Sequence, residues 1–274
     1  MQIYLTNDRI AALLGRLQDR DMKVLHALDW CFYLKTDQVQ RLFFNSSPTS
    51  QAAKSATMRT LNRLKENGLI RILERRVGGV RGGSDSMVWR LTEGGHRLLH
   101  MSEYNSKTRK RFLELSVSMQ NHTLAVSECF VNVYEANREL QNDKAPYVEF
   151  EPRCWRAFES MGKRFSLNPD LYVALRNGDY EDHWFIEMDM GTEAMDKIIE
   201  KCEQYHRYFN TRAEQRKTGT FPIVLWVVTK PDRKRVFIDE FKFRFNNKPK
   251  MFVVVCQDEL KNVLLNGATA EQLL

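Results

Sequence analysis

Long apolar runs are missing from this sequence. None approaches the roughly 20 residues that a membrane-spanning helix needs, so a helical membrane protein is excluded as a reading. The first residues lack a basic segment followed by an apolar core, and no secretory leader is expected. Cysteine is sparse: Cys31, Cys129, Cys154, Cys202 and Cys256 are an odd number with no CxxC spacing. They read as reduced thiols of a cytoplasmic protein, not as a disulfide frame or a zinc cluster. No HxH pair exists among the six histidines, His26, His96, His100, His122, His183 and His206. Internal repeats and low-complexity tracts are absent too, which excludes solenoids and fibrous chains.

What remains is globular: 274 residues, 43% hydrophobic and 28% charged. This length favours two domains. The charge is unevenly divided. Up to Leu115 there are 20 Lys and Arg against 11 Asp and Glu, and beyond it 22 against 24. The whole basic excess sits in the first part, as expected where one domain meets a polyanion and the other does not.

Apolar spacing predicts a helix over 21–33, with Met22, Val24, Leu25, Leu28 and Phe32. Thr36 is expected to cap a short helix over 37–44 carrying Val39, Leu42 and Phe43. A third helix over 51–67 shows the stripe Ala53, Ala56, Leu61 and Leu64 and stops at Gly68. Lys54, Arg59, Arg63 and Lys65 occupy its other positions. Two strand-like runs follow, 69–73 and 87–91, around a glycine-rich basic stretch, 75–84, that holds Arg76 and Arg81. A helix over 93–101 closes this part. His96 and His100 lie one turn apart on it, and without a third ligand nearby in sequence they read as surface histidines. A basic connector at 107–111 places a boundary near residue 105.

Three helices, a strand, a basic tip and a strand, with the junction 55–70, resemble a winged helix-turn-helix domain. The resemblance implies a helix in the major groove of double-stranded DNA. Lys54, Arg59, Arg63, Arg76 and Arg81 would then meet phosphates.

The second part reads as a helix over 120–140 and then mostly strands. A strand at 147–154 alternates loosely, and a stretch at 167–175 alternates well. It puts Leu171, Val173 and Leu175 on one face and Asp170, Tyr172 and Ala174 on the other. A turn at Asn177-Gly178-Asp179 joins it to a strand at 183–190. There Phe185, Glu187 and Asp189 share a face opposite Trp184, Ile186, Met188 and Met190. A helix over 193–209, a buried strand over 221–228, a basic turn at 230–235, a further helix and a last strand at 251–256 complete the chain. The turn makes the two acid-bearing strands antiparallel neighbours, so Asp170 falls near Glu187. Carboxylates held on a rigid sheet suit Mg2+ or Mn2+.

Pro169-Asp170 and Glu187-Met188-Asp189 resemble the PD and (D/E)xK elements of the PD-(D/E)xK nuclease superfamily. Lys201-Cys202-Glu203-Gln204-Tyr205 resembles its accessory KxxxY spacing. The departure is Asp189, where the superfamily has lysine. A helix lysine would have to replace it, Lys201 first and Lys197 second, or a third acid would serve, or catalysis is lost. Together the two parts resemble the replication-relaxation family and, within it, MobC-class plasmid mobilisation relaxases. The residues that carry this are 55–70, Asn121-His122-Thr123-Leu124-Ala125-Val126-Ser127-Glu128, Asn168-Pro169-Asp170 and Glu187-Met188-Asp189-Met190-Gly191-Thr192-Glu193.

The resemblance implies an α+β chain of two domains: a winged helix over 1–105 and a restriction-endonuclease-like α/β/α domain with a mixed sheet over 106–274. It implies a divalent-metal-dependent relaxase that nicks one strand at a plasmid transfer origin. Asp170, Glu187 and Asp189 would hold the metal, Lys201 would join them in catalysis, and His122, Glu128, Lys197 and Tyr205 are accessory candidates. Other mobilisation or coupling proteins would be further partners. Asp189 in place of lysine favours the alternative, a non-catalytic plasmid replication or transfer accessory protein that binds DNA. A transcription regulator with a sensing or dimerising second half is a third reading, which the carboxylates disfavour. If the first part carries the DNA affinity, Arg59→Ala should weaken duplex binding and flatten its dependence on salt. Filter-binding titrations across a salt series check this, and unchanged binding would overturn it.

Overall fold

In a computed structural model, residues 5–73, 87–101 and 115–274 are described. The chain divides into two compact units, Met1–Val131 and Asn132–Leu274. The boundary expected near residue 105, the connector at 107–111, and Arg76 and Arg81 of the hairpin tip lie outside the described residues. No helix among the described residues is long and apolar enough to cross a membrane.

The first unit orders α1 (Asn7–Leu14), α2 (Asp19–Cys31), β1 (Leu34–Lys35), α3 (Thr36–Phe43), α4 (Ser50–Glu66), β2 (Ile70–Ile72), β3 (Val88–Leu91) and α5 (Glu93–Leu99). Its three strands form an antiparallel sheet in the order β1-β3-β2. Helix α4 starts where the Thr49 hydroxyl accepts the Ala52 amide at 3.1 Å. It ends at Gly68, whose φ of 73° suits a residue without a Cβ. There the Gly68 amide donates to the Lys65 carbonyl and the Leu69 amide to the Leu64 carbonyl, the Schellman pair of bonds.

Two expectations need correction here. The buried stripe of α4 is Ala53, Thr57, Leu61 and Leu64, with Thr57 in place of Ala56. Thr57 can be buried because its hydroxyl donates to the Ala53 carbonyl at 2.8 Å. Thr36 does not cap α3. Its hydroxyl accepts the Trp89 indole N–H at 2.9 Å, while the Gln38 side chain accepts the Lys35 amide at 2.9 Å and closes the helix start.

Arg63 is also not simply a surface cation. Its guanidinium bonds the Asp21 carboxylate, which is buried in α2. Arg59 is exposed and Lys54 half-buried on the same helix. Helix α5 begins at Thr92, whose hydroxyl accepts the Gly95 amide at 3.1 Å. It lies so close to the start of β2 that a Cβ on Gly95 would stand 2.1 Å from the Leu69 carbonyl oxygen.

Helix α6 (Val117–Glu139) leads into the second unit. There β4 (Tyr147–Phe150), β7 (Leu171–Asn177), β8 (Tyr180–Asp189), β9 (Ile223–Val228) and β10 (Phe252–Cys256) form one mixed sheet, ordered β10-β9-β8-β7-β4. The first three in that order run parallel to one another, and β8, β7 and β4 are antiparallel in turn. Parallel neighbours need crossovers, which α7 (Met195–Thr211) with α8 (Ala213–Thr218) and α9 (Pro231–Phe245) supply. α10 (Leu260–Asn266) follows β10.

The loose strand expected at 147–154 ends at Phe150, and residues 151–154 turn instead. The stretch expected to run as one strand over 167–175 is interrupted: Leu167 ends β6 (Lys163–Leu167), which pairs with β5 (Arg156–Ser160) in a separate hairpin, and β7 starts at Leu171. The basic turn expected at 230–235 is the first turn of α9, because Pro231 opens the helix.

One face of the sheet presents Tyr172, Ala174, Phe185, Val224, Trp226, Val228, Phe252 and Val254 to the core. Ile198, Cys202, Tyr205 and Tyr208 of α7 and Phe237, Phe241 and Phe245 of α9 pack in the same cluster. The four-residue spacing of the α9 phenylalanines is one stripe of a helix.

Three substitutions test the packing of the first unit. Gly95→Ala should destabilise the protein by about 1–3 kcal/mol through overpacking. Arg63→Ala should cost about 1–3 kcal/mol by stripping a buried carboxylate of its partner, while Arg59→Ala stays within about 0.5 kcal/mol. Urea unfolding curves measure all three.

Candidate active site

The β7–β8 hairpin sets the site. Its loop is Gly178-Asp179, with Asn177 opposite Tyr180 and Gly178 at φ 62°, the pattern of a two-residue turn with glycine in first place. Six rungs later Leu171 stands opposite Ile186. The Asp170 amide donates to the Ile186 carbonyl at 3.2 Å. Side chains alternate, so Asp170, next along from Leu171, falls on the same face as Tyr172, Phe185 and Glu187. Its Oδ2 accepts the Met188 amide at 2.7 Å, which fixes the carboxylate across the strand pair. The Cys154 thiol donates to the Pro169 carbonyl at 3.0 Å, anchoring the chain just before it.

Glu187 is 1% exposed. Its Oε2 accepts from Lys201 Nζ at 2.6 Å, and its Oε1 accepts from the Tyr205 hydroxyl. Lys201 and Tyr205 are one turn apart on α7, so a single helix face closes over one carboxylate. In the parallel register Trp226 of β9 stands beside Glu187, and Lys201 Nζ lies 6.0 Å from the centre of the Trp226 ring.

Burial pushes the Glu187 carboxyl up to about 7; the Lys201 charge opposes this and the Asp170 charge adds to it. The Lys201 ammonium is held above the ordinary lysine range. Burial opposes its charge, but Glu187 and Asp170 together outweigh that. Burial also pushes the Tyr205 phenol well up, and the Glu187 charge adds to the effect, so it stays a donor.

Asp189 is on the same strand face two residues on, buried at the end of β8. Its carboxylate is gripped from two sides by one guanidinium: Arg233 Nε to Oδ2 at 2.8 Å and a terminal nitrogen to Oδ1 at 3.2 Å. The same Arg233 reaches the Glu193 carbonyl at 2.7 Å. Sequence reasoning missed Arg233 because its stretch read as a turn. Pro231 after Lys230 was the available sign of a helix start.

The other expected residues are placed as follows. Lys197 is 73% exposed and pairs with Glu200 at 3.1 Å, away from Glu187. Glu128, on α6 in the first unit, takes Gln38 Nε2 at 2.9 Å and a guanidinium nitrogen of Arg41. His122 is half-buried six residues earlier on α6. His96 and His100 do have a third ligand type beside them, contrary to expectation: Asp29 of α2, 2.8 Å from His100 Nε2.

The raised carboxyl of Glu187 has a consequence for stability. Its pKa rises from 4.5 to about 7 on folding, so the folded chain holds a proton that the unfolded chain releases first. Stability from this group is fully present below about 4.5 and is lost as pH rises through about 7. In EDTA, the unfolding free energy of the wild type relative to Glu187→Gln should fall between those limits. Parallel pH profiles for the two proteins would contradict it.

Two structures with similar backbones are the restriction endonuclease FokI and FokI bound to DNA. The first matches at 12% identity with a TM-score of 0.28, covering 92% of this chain and 46% of that one. The second matches at 12% identity with a TM-score of 0.27, covering 98% and 47%. This chain thus spans about half of their length, and overlap at that level decides neither fold nor chemistry. No curated protein matches the chain. The replication-relaxation family model matches residues 25–224. That span holds Asp170, Glu187, Asp189, Lys201 and Tyr205 and stops short of Arg233. With nearly three quarters of its length matched, the chain belongs to the replication-relaxation family.

Proposed function

We propose that this chain is a divalent-metal-dependent nuclease of the relaxase type, nicking one DNA strand at a plasmid transfer origin in the manner of MobC-class proteins. The observation that carries the reading is the contact of Lys201 with Glu187, beside Asp170. The strand lysine of the PD-(D/E)xK pattern is absent at Asp189, and an ammonium from α7 lies at the same carboxylate instead.

The residues fit a divalent cation. Asp170, just before β7, and Glu187, on β8, are hard oxygen donors, and the Asp170 charge raises the Glu187 pKa. A cation shared between them would relieve that repulsion. When bound, Mg2+ or Mn2+ supplies a polarised phosphate oxygen and an acidified water. Asp170 is oriented for that task by the Met188 amide. Tyr205 fixes the rotamer of Glu187 through Oε1. Lys201, held charged, supplies a cation where negative charge develops on the phosphate. Asp189, expected as a third ligand, is engaged by Arg233. Its proposed role is to hold that guanidinium at the end of β8, where Asp189→Lys would set an ammonium against it.

The first unit is proposed to hold the duplex as a winged helix. Its order α2-β1-α3-α4-β2-β3 and its basic excess support this, with α4 as the groove helix and Lys54 and Arg59 toward phosphates. A cytoplasmic setting, and mobilisation or coupling proteins as partners, belong to the same proposal. The non-catalytic accessory reading draws support from the burial of Glu187 under two donors, and the same experiment separates the two.

The experiment is relaxation of supercoiled origin plasmid in Mn2+. Asp170→Ala and Glu187→Ala should abolish nicking, and Lys201→Ala should slow it by about 100- to 1000-fold. Origin binding should persist in all three. A wild type that binds the origin and never produces open circles would establish the accessory reading. Nicking that survives Asp170→Ala or Glu187→Ala would remove the metal site.

A further inference from the structure

Asp29, His96 and His100 meet in the first unit, in a cluster that the nuclease reading does not use. Asp29 belongs to α2. His96 lies on α5, and His100 is the residue that caps its end. His100 Nε2 is 2.8 Å from Asp29 Oδ2, and His96 Nε2 is 3.8 Å from Asp29 Oδ1. The two imidazole rings lie 4.4 Å apart, centre to centre. One ligand atom from each residue can be chosen so that all lie within 4.8 Å of one another. The side chains are 15%, 14% and 35% exposed for Asp29, His96 and His100.

This geometry suits a small cation. Ligand atoms at about 2.0–2.1 Å from zinc stand roughly 3.3 Å apart in a tetrahedron. His100 Nε2 lies nearer than that to one Asp29 oxygen, at 2.8 Å, and His96 Nε2 farther from the other, at 3.8 Å, so a small adjustment about one oxygen would bring the three ligands to that spacing. Both histidines present Nε2 to one carboxylate, each near a different oxygen. The four-residue spacing puts both rings on one face of a helix. The tight approach of Gly95 to the Leu69 carbonyl holds that helix in place. Two imidazoles with one carboxylate select first-row transition cations and reject Mg2+ and Ca2+. Three protein ligands leave a fourth position for water or an added group.

We propose that Asp29, His96 and His100 form a zinc-class metal site that staples α5 to α2. The site is separate from Asp170 and Glu187 in both ligands and metal preference. It would brace the unit to which duplex binding is assigned, and it stands whether or not the chain nicks DNA.

The test uses the full chain, stripped with EDTA and titrated with Zn2+ by calorimetry and with Co2+ by visible absorption. Glu187→Gln serves as the background, so that the carboxylate site contributes little. One equivalent should bind with imidazole-type cobalt bands, and Zn2+ should raise the melting temperature. His96→Ala and His100→Ala should each weaken binding by at least about tenfold and abolish the thermal shift. His100→Gln, at the half-exposed helix end, gives a folded comparison if His96→Ala does not fold, as judged by circular dichroism. Absence of binding, or equal affinity and equal thermal shift in the histidine variants, would overturn the site and leave a plain histidine–aspartate hydrogen bond.

Discussion

A carboxylate with almost no contact with water organises the second unit. Glu187 is placed at the centre of a sheet, where an ionised side chain is costly to bury unless paired and hydrogen-bonded. The cost is met from one helix: Lys201 and Tyr205, a turn apart, each take one oxygen. Those bonds fix the rotation of α7 about its own axis. The same rotation turns Ile198, Cys202 and Tyr208 into the apolar cluster. The polar contact and the packing therefore specify one orientation of the helix, and neither would be satisfied if it rolled.

Asp189 and Arg233 repeat the arrangement in another key. The carboxylate sits where β8 ends, and the cation comes from the first turn of α9, the next crossover helix. An arginine at a helix start works against the helix dipole. Its two-pronged hold on Asp189 and its bond to the Glu193 carbonyl offset this. Both crossover helices are thus tied to the same strand by a cation on an acid, one pair central and one at the end. The two acids differ in what surrounds them. Glu187 shares its surroundings with Asp170, and Asp189 has a guanidinium to itself on both oxygens.

Much of this was legible in the sequence because strand alternation is local. The faces of β7 and β8, the tight turn between them and the pairing of Asp170 with Glu187 all follow from residues within 20 positions of each other. The helix lysine followed from the spacing of Lys201 and Tyr205. What escaped depended on distance or on a polar residue in an apolar place. Asp29 and His100 are 71 positions apart, and no local pattern announces their meeting. Thr57 became an interior residue by donating its hydroxyl to the Ala53 carbonyl, and Thr36 by accepting the Trp89 indole N–H, which a count of apolar positions does not register. The β5–β6 hairpin was hidden by its exposed, charged alternation, and Arg233 by a proline that reads equally as a turn.

The short loop of the β7–β8 hairpin acts as a ruler. Asp170 is positioned opposite Glu187 only because Gly178-Asp179 sets the count of rungs between the turn and the acids. One residue inserted or lost between the turn and either acid would shift one strand against the other. Side chains change face with each residue, so one carboxylate would be carried to the opposite side of the sheet. A change of two would restore the face but displace the acids by about 7 Å along the strand, beyond the reach of a shared ion. This stretch of chain can vary in its exposed side chains, Gly178 with its φ of 62° excepted, but it has no freedom in length.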